Sequence, residues 1–323
     1  MTINSERGTV VDHRSLAASL APVLNAMCDG RLGEITWFKA DWQRGGAATG
    51  FSTYRRDDGT EAAVVLKLPV VQRELTWLTR LQDADDPDPV VPRLFASGDS
   101  LGGYDLTWVV MERFLHGPLG LKWHEDHIRR IAEAAARFHA LAARHETDQP
   151  ARDEPWDDLL AEAGESVKVN RLPQQQVWVS AIKSLRGRLD SILDEWRARD
   201  AAQWLHGDLH LANAMSRHAM DHGSVSLIDL AEVHAGHWIE DAIYFERQLW
   251  ARQDRLEHCS PVKAIAKARK KLGVPVEADY PRLAMLRRAL LAATAPRFLK
   301  TEGHPRHLDA CLHWLQAAMS ELK

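Results

Sequence analysis

The chain has 323 residues, with 41 Lys plus Arg against 45 Asp plus Glu and a net charge of −4, which argues against a nucleic acid as the main partner. Three widely spaced cysteines, Cys28, Cys259 and Cys311, form neither a disulfide framework nor a zinc spacing. The first residues lack an apolar signal core and no run reaches membrane-spanning length, so a soluble cytoplasmic protein of one large or two moderate cores is expected.

Residues 1–12 are polar and end-like. Residues 15–27 carry Leu16, Leu20, Val23, Leu24 and Met27 near helical spacing, and Asp29-Gly30 stops that helix. Residues 35–68 read as three strands, at 35–38, 51–55 and 62–68, with Asp57-Asp58-Gly59 as a hairpin turn. Between the first two lies a small-residue loop, Arg44-Gly45-Gly46-Ala47-Ala48-Thr49-Gly50. Such a loop lets backbone N–H groups approach phosphate oxygens, although by itself the signal is weak.

Lys67 ends the third apolar strand, and Glu74 follows seven residues later near the start of a helix striped by Leu75, Leu78 and Leu81. An Asp- and Pro-rich loop at 85–89 precedes two more strands, at 90–96 and 107–111, and this sheet-plus-helix part ends near Arg113. The remainder reads mostly helical. One stripe runs through Ile128, Ile131, Ala135, Phe138 and Leu141, and another through Ile182, Leu185, Leu189, Ile192 and Trp196. Residues 153–158 read as an acidic turn, and further helices are expected at 239–250, 261–272, 281–293 and 307–321. Lys263, Lys267, Arg269, Lys270 and Lys271 read as a solvated helix face.

The stretch from Trp204 to Asp241 carries the chemistry. An apolar approach through Trp204 and Leu205 delivers His206-Gly207-Asp208 into a loop, Asn213 comes five residues after Asp208, and Val225-Ser226-Leu227-Ile228-Asp229 reads as a short buried strand ending in a carboxylate. Asp208 is placed to accept the proton of a hydroxyl nucleophile, and Asn213 and Asp229 offer the hard oxygen atoms that magnesium prefers. Together these residues point to phosphoryl transfer.

His206-Gly207-Asp208-Leu209-His210…Asn213, followed by Ile228-Asp229, resembles the aminoglycoside phosphotransferase and choline kinase branch of the kinase-like fold. The resemblance implies an α+β protein kinase-like fold of two lobes. Residues 1–113 would form a small nucleotide-binding lobe of antiparallel sheet plus helix, and residues 114–323 a larger helical lobe for catalysis and substrate. It implies ATP or GTP as phosphoryl donor, Mg2+ held by Asn213 and Asp229, and Asp208 as base. Lys67, paired with Glu74, would contact the phosphates beneath the backbone of Gly45, Gly46, Ala47, Ala48 and Thr49. Glu112 and Phe114 would offer hinge backbone groups to the purine, with the reaction in a dry cleft between lobes. His206 and His210 are assigned to bracing the loop, and Asp241 to capping or bracing it.

The chain departs from many relatives in carrying Leu211-Ala212 for Pro-Gly and Gly236-His237-Trp238 for Gly-Asp-Pro. The second change places His237 and Trp238 near substrate and loop contacts of relatives and leaves the acceptor open. That partner is expected to be a small hydroxylated molecule. A polycation would need clustered carboxylates, for which Asp153, Glu154, Asp157, Asp158, Glu240 and Glu246 are available, although most suit plain solvation. A choline-like acceptor would favour an aromatic cage. Neither the acceptor nor the oligomeric state is encoded in the motif.

Overall fold

Strand alternation and helical stripes sort the chain into two units. The computed structural model describes residues 13–38, 47–219 and 223–322, and side chains from residue 19 onward. The first unit comprises residues up to Leu115 together with Ile228–Ala231, and the second comprises His116–Leu227 with the residues from Glu232 onward. The division falls two residues beyond the expected Arg113, and the short segment around Asp229 groups with the first unit rather than the second.

In the first unit, helix α1 (His13–Met27) precedes β1 (Thr36–Phe38), β2 (Ala48–Arg55), β3 (Glu61–Leu68), α2 (Gln72–Arg80), β4 (Leu94–Gly98) and β5 (Trp108–Glu112). The strands form one sheet in the order β1-β2-β3-β5-β4, and every neighbouring pair is antiparallel. β3 shows why the site lies where it does. Ala62, Val64, Leu66 and Leu68 are buried with Leu24, Trp108 and Val110, so the two-residue period turns Lys67 to the opposite face. Asp58 accepts from the Thr60 amide at 2.9 Å, and Gly59 takes φ +81°, closing the predicted hairpin.

Two boundaries differ from expectation. β2 begins at Ala48, three residues early, because Ala48, Thr49 and Gly50 pair with Leu68, Lys67 and Leu66. β4 begins at Leu94, not Val90. Val90 and Val91 are fully buried but unladdered, and Pro92 beside them has no N–H for a ladder bond.

In the second unit, α3 (His127–Ala142), α4 (Trp156–Val169), α5 (Gln175–Arg186) and α6 (Leu189–Arg197) precede two antiparallel ribbons. One ribbon pairs β6 (Gln203–Leu205) with β9 (His234–Gly236), and the other pairs β7 (Ala214–Ser216) with β8 (Val225–Leu227). Then come α7 (Ile239–Arg247), α8 (Gln253–Leu256), α9 (Pro261–Lys271), α10 (Tyr280–Thr294), α11 (Leu299–Glu302) and α12 (Pro305–Glu321). The single stripe expected over 182–196 is two helices, broken at Gly187-Arg188. The acidic run read as a turn instead enters α4, whose first turn holds Asp157 and Asp158 where a helix N-terminus favours negative charge. Among the described residues, no helix is long and apolar enough to cross a membrane.

Arg269 corrects the solvated-face reading of α9. It is 2% exposed, its Nε and Nη2 donate to the Pro275 carbonyl, and Nη2 also donates to Gln203 Oε1. Its position four residues after buried Ile265 places it on the apolar face of the helix.

Buried imidazoles are expected to make the second unit acid-sensitive. Burial, reinforced by Arg130, pulls His127 from its ordinary 6.5 down to about 4, and burial also lowers His139 and His237. A histidine with a folded pKa below its unfolded value takes up its proton more readily when unfolded, so acid favours unfolding. The stability from these neutral rings is complete above the unfolded value near pH 6.5 and is lost as pH falls, for His127 over the interval down to about 4. That interval corresponds to on the order of 3 kcal/mol for His127. The melting temperature is expected to drop between pH 6.5 and pH 4, and to drop less steeply in His127→Asn, which keeps an acceptor for the His124 amide. Equal slopes in the two proteins would remove His127 as a cause.

Candidate functional site

The predicted site residues fall into two sets, one on each unit. On the first unit, β3 presents Lys67 and the first turn of α2 presents Glu74. Lys67 Nζ donates to both Glu74 oxygens, at 2.9 and 2.8 Å, and lies 3.4 Å from Asp229 Oδ1. Burial alone would favour the neutral amine, but Glu74 and then Asp229 hold the Lys67 pKa above the ordinary lysine value. The lysine is therefore a fixed positive charge.

Asp229 is expected at the end of a strand but stands two residues beyond β8, with φ +64°. A non-glycine residue in the left-handed region costs backbone free energy, and Asp is among the residues that tolerate it best. Its side chain is 43% exposed, whereas that of Glu74 is 3% exposed. The two carboxylates on Lys67 thus have different environments: Glu74 is an internal anchor, and Asp229 reaches solvent.

The loop expected to cover phosphates is partly outside the described residues, Gly45 and Gly46 among them. Ala47 immediately precedes β2, while Ala48 and Thr49 lie within β2 and are not loop residues. Glu112 ends β5, with its amide donating to the Arg93 carbonyl at 2.8 Å and its side chain accepting from the Arg93 amide. That amide is committed within the sheet and is not a donor for a purine. Phe114 follows in a half-buried position.

On the second unit, β6 ends at Leu205 and the chain turns sharply at Gly207, with φ +79°. A Cβ there would stand 2.1 Å from the Glu232 carbonyl oxygen, so only glycine fits. The turn is held from below by Asp241, on the first turn of α7. Its Oδ2 accepts from the His206 amide at 2.8 Å and from His139 Nε2 at 3.0 Å, and its Oδ1 accepts from the Gly207 amide at 2.9 Å. Burial works against this charge, but the His139 bond and the Gly207 amide hold the Asp241 pKa below the ordinary value. Asp241 therefore braces the loop rather than its own helix end. Because a carboxylate only accepts, His139 Nε2 carries the proton and Nδ1 is left as a buried lone pair with no partner among the described residues.

His206 is fully buried against the Phe138 ring, and its Nδ1 accepts from the Asp208 amide at 3.3 Å. His210 Nδ1 accepts from the Ala212 amide at 3.0 Å and caps a 3-10 turn over Leu211–Asn213. Leu211-Ala212 thus forms its turn without the Pro-Gly pair of many relatives. The turn aims Asn213, 3% exposed, so that its Nδ2 donates to the Asp208 carbonyl at 3.0 Å and to Asp208 Oδ2 at 2.9 Å. Asn213 Oδ1 remains as the acceptor, which is the atom type a magnesium ion would take.

Asp208 receives more partners than expected from sequence. His210 Nε2 is 3.3 Å from Oδ2, and the Tyr244 hydroxyl donates to Oδ1 at 2.7 Å. Burial would raise the carboxyl, but His210 and Tyr244 outweigh it and hold Asp208 at about 2. The same contact and burial push the Tyr244 phenol well above its ordinary value. Counting lone pairs, Oδ2 already accepts from Asn213 and His210, while Oδ1 keeps one open position beside the tyrosine hydroxyl.

His237 and Trp238, expected near substrate contacts, are both 0% exposed. His237 Nε2 is 3.2 Å from Glu277 Oε2 and Trp238 Nε1 donates to the same oxygen at 2.8 Å, so this unusual pair is packing with its polar groups satisfied. Five of the six acidic residues considered for a polycation have arginine partners, the exposed Asp158 being the exception among the described residues. Asp153 pairs with Arg197, Glu154 with Arg287, Asp157 with Arg186, Glu240 with Arg199 and Glu246 with Arg288. The pairs of Glu240 and Glu246 are buried, whereas those of Asp153 and Asp157 are exposed. Among the described residues, no group of three or more His, Cys, Asp or Glu side chains is arranged to hold a metal. Asn213 Oδ1 on the second unit and the exposed Asp229 carboxylate on the first are each an oxygen donor of the type magnesium takes.

Comparisons with known proteins place these residues in context. A sequence model described as the phosphotransferase enzyme family matches residues 41–286. An aminoglycoside phosphotransferase structure from Alicyclobacillus acidocaldarius subsp. acidocaldarius is 15% identical with a TM-score of 0.56, covering 93% of this chain and 94% of that one. A choline/ethanolamine kinase family protein from Mesorhizobium loti is 14% identical with a TM-score of 0.54, covering 95% and 94%. A thermostable mutant aminoglycoside phosphotransferase, in ternary complex with AMP-PNP and hygromycin B, is 14% identical with a TM-score of 0.51, covering 94% and 98%. At such identities the likeness is one of fold. No curated protein sequence matches the chain.

Proposed function

The chain belongs to the phosphotransferase enzyme family, and from that membership we propose that it transfers the γ-phosphoryl group of ATP, with Mg2+, to a hydroxyl of a small molecule. The observation that carries this reading is Lys67, a lysine fixed in its charged form between an internal carboxylate and an exposed one. An ion pair meant only for stability has no need of the second carboxylate at a strained backbone position.

Roles follow from the two sets. Lys67, positioned by Glu74, binds phosphate oxygens as a point charge. Asp229 and Asn213 hold Mg2+, which neutralises charge developing on the phosphates. Backbone groups of Glu112 and Phe114 are the contacts for the purine. Asp208 orients the acceptor hydroxyl through the open position on Oδ1 and takes its proton late, because a carboxylate held at about 2 is a weak base towards an intact alcohol. Tyr244, His210 and Asn213 fix the carboxylate so that the hydroxyl meets a preorganised acceptor. His206 and Asp241 hold the loop.

Solved structures of similar fold are named for aminoglycosides and for choline or ethanolamine, compounds that carry both hydroxyl groups and amine or ammonium groups. The arginine-paired carboxylates argue for a small, weakly charged alcohol over a polycation. A coupled ADP-release screen tests this across amino alcohols, choline, sugars, hydroxy amino acids and aminoglycosides, with ATP and GTP compared. Acceptor-dependent ADP release that requires Mg2+ is the expected result. Magnesium and nucleotide binding with no acceptor-stimulated release from any class would instead favour a nucleotide-binding protein without transferase activity.

A further inference from the structure

A recess in the helical unit does not include Asp208 in its lining. It has a volume of about 490 Å³ and is lined by the end of α3 and its following loop, by β6 and by the end of α9. That volume is in the range of small-molecule sites. Its walls include Arg269, Trp204 and His139, all buried, with Glu146 and Asp200 at the exposed rim.

Arg269 is the unusual member. A guanidinium this buried normally faces a carboxylate, since burying an unpaired charge is costly. Here Nε and Nη2 donate only to a carbonyl and an amide oxygen, the guanidinium carbon lies 5.3 Å from the Trp238 ring centroid, and Nη1 has no hydrogen-bond acceptor among the described residues. No carboxylate stands within 4 Å of it among those residues. The acidic groups that act on it from further away have partners of their own: Glu277 accepts from Trp238 and Gln203 and contacts His237, Asp241 accepts from the loop amides and His139, and Asp200 accepts from the Ala202 amide and from Gln203 Nε2. Glu146 at the rim likewise has no hydrogen bond or ion pair among the described residues.

We propose that this recess binds a small zwitterion of the amino-acid class, with its carboxylate on Arg269 Nη1 and its ammonium towards Glu146 and Asp200. The cation lies deep and the carboxylates lie at the mouth, so the site selects a ligand carrying both charges. A phosphate would gain at the floor and be repelled at the rim, and a plain carboxylate would gain only at the floor. The site lies behind the catalytic loop, because His139 both lines the recess and holds Asp241, which carries the His206 and Gly207 amides.

Calorimetric titration of the full chain with glycine, L-leucine, acetate and inorganic phosphate tests the assignment. An amino acid is expected to bind saturably and at least about tenfold tighter than acetate or phosphate. Arg269→Met should abolish binding. Because Arg269 also holds the Pro275 carbonyl, two surface variants guard against misfolding. Ala143→Phe, at an exposed lining position, should block the recess in a folded protein. Glu146→Gln should weaken glycine binding and leave acetate unchanged. No saturable amino-acid binding, phosphate binding tighter than either amino acid, or binding indifferent to Ala143→Phe would each overturn the proposal.

Discussion

Asp208→Ala is expected to fold, to bind nucleotide like the parent, and to turn over at least about 100-fold more slowly, the usual scale for losing a group that handles the reacting proton. Folding should survive because the Asp208 side chain is 26% exposed, so water replaces it for the His210, Asn213 and Tyr244 donors. The pH profile sharpens this prediction. A carboxyl held at about 2 stays ionised at every workable pH, so the acid limb of kcat/KM should not report Asp208. Tyr244→Phe removes one charge-assisted hydrogen bond from Oδ1, and a loss of about 10- to 100-fold is expected for it. The double variant should be no slower than Asp208→Ala alone, since the tyrosine acts through the carboxylate. Near-normal turnover of Asp208→Ala would sink the assignment of the base. Additive losses in the double variant would give Tyr244 an independent role.

The second large effect is expected at Asp229. Asp229→Ala should weaken magnesium-dependent nucleotide binding at least about 100-fold, as truncation of a charged partner commonly does. The readout is a nucleotide titration at several magnesium concentrations, with the metal-free affinity as reference. Backbone strain complicates alanine here, because φ is +64° and alanine tolerates that region less well than aspartate. Asp229→Asn separates the two effects, since asparagine accepts the same backbone and loses only the charge. Both variants should lose the magnesium response while Lys67 keeps its pairing with Glu74. An unchanged magnesium titration in Asp229→Asn would refute the ligand role.

Much of this was legible from residue order. Lys67 was expected at the end of the third strand, Glu74 near the start of the next helix, and Asp208 and Asn213 in one loop, and all four lie in those places. Both the antiparallel sheet with its helix and the helical second unit were expected. The misses share a physical cause: polar residues were read by composition where position decided. Arg269 and His139 sit four residues after Ile265 and Ala135, on apolar helix faces, and are buried with them. Tyr244 is three residues after Asp241, so the face that braces the loop also delivers the phenol to Asp208. That signal was present in the spacing. The burial of His237 and Trp238 was not, because their partner Glu277 comes from a segment about 40 residues away and no local pattern announces it. The start of β4 was missed because fully buried valines look like strand whether or not their amides are laddered.

The segment Ile228–Ala231 groups with the residues up to Leu115, although the chain on both sides of it belongs to the other unit. A fragment ending at Leu115 would therefore carry Lys67 and Glu74 without the exposed carboxylate beside them. The same holds for inheritance. A single recombination event near residue 115 between two relatives would always take Asp229 from the parent that donates the helical part. Keeping Asp229 with Lys67 and Glu74 requires two further exchanges, one on each side of that four-residue stretch. That one carboxylate thus travels with the helical part when such genes are shuffled, while Lys67 and Glu74 travel apart from it.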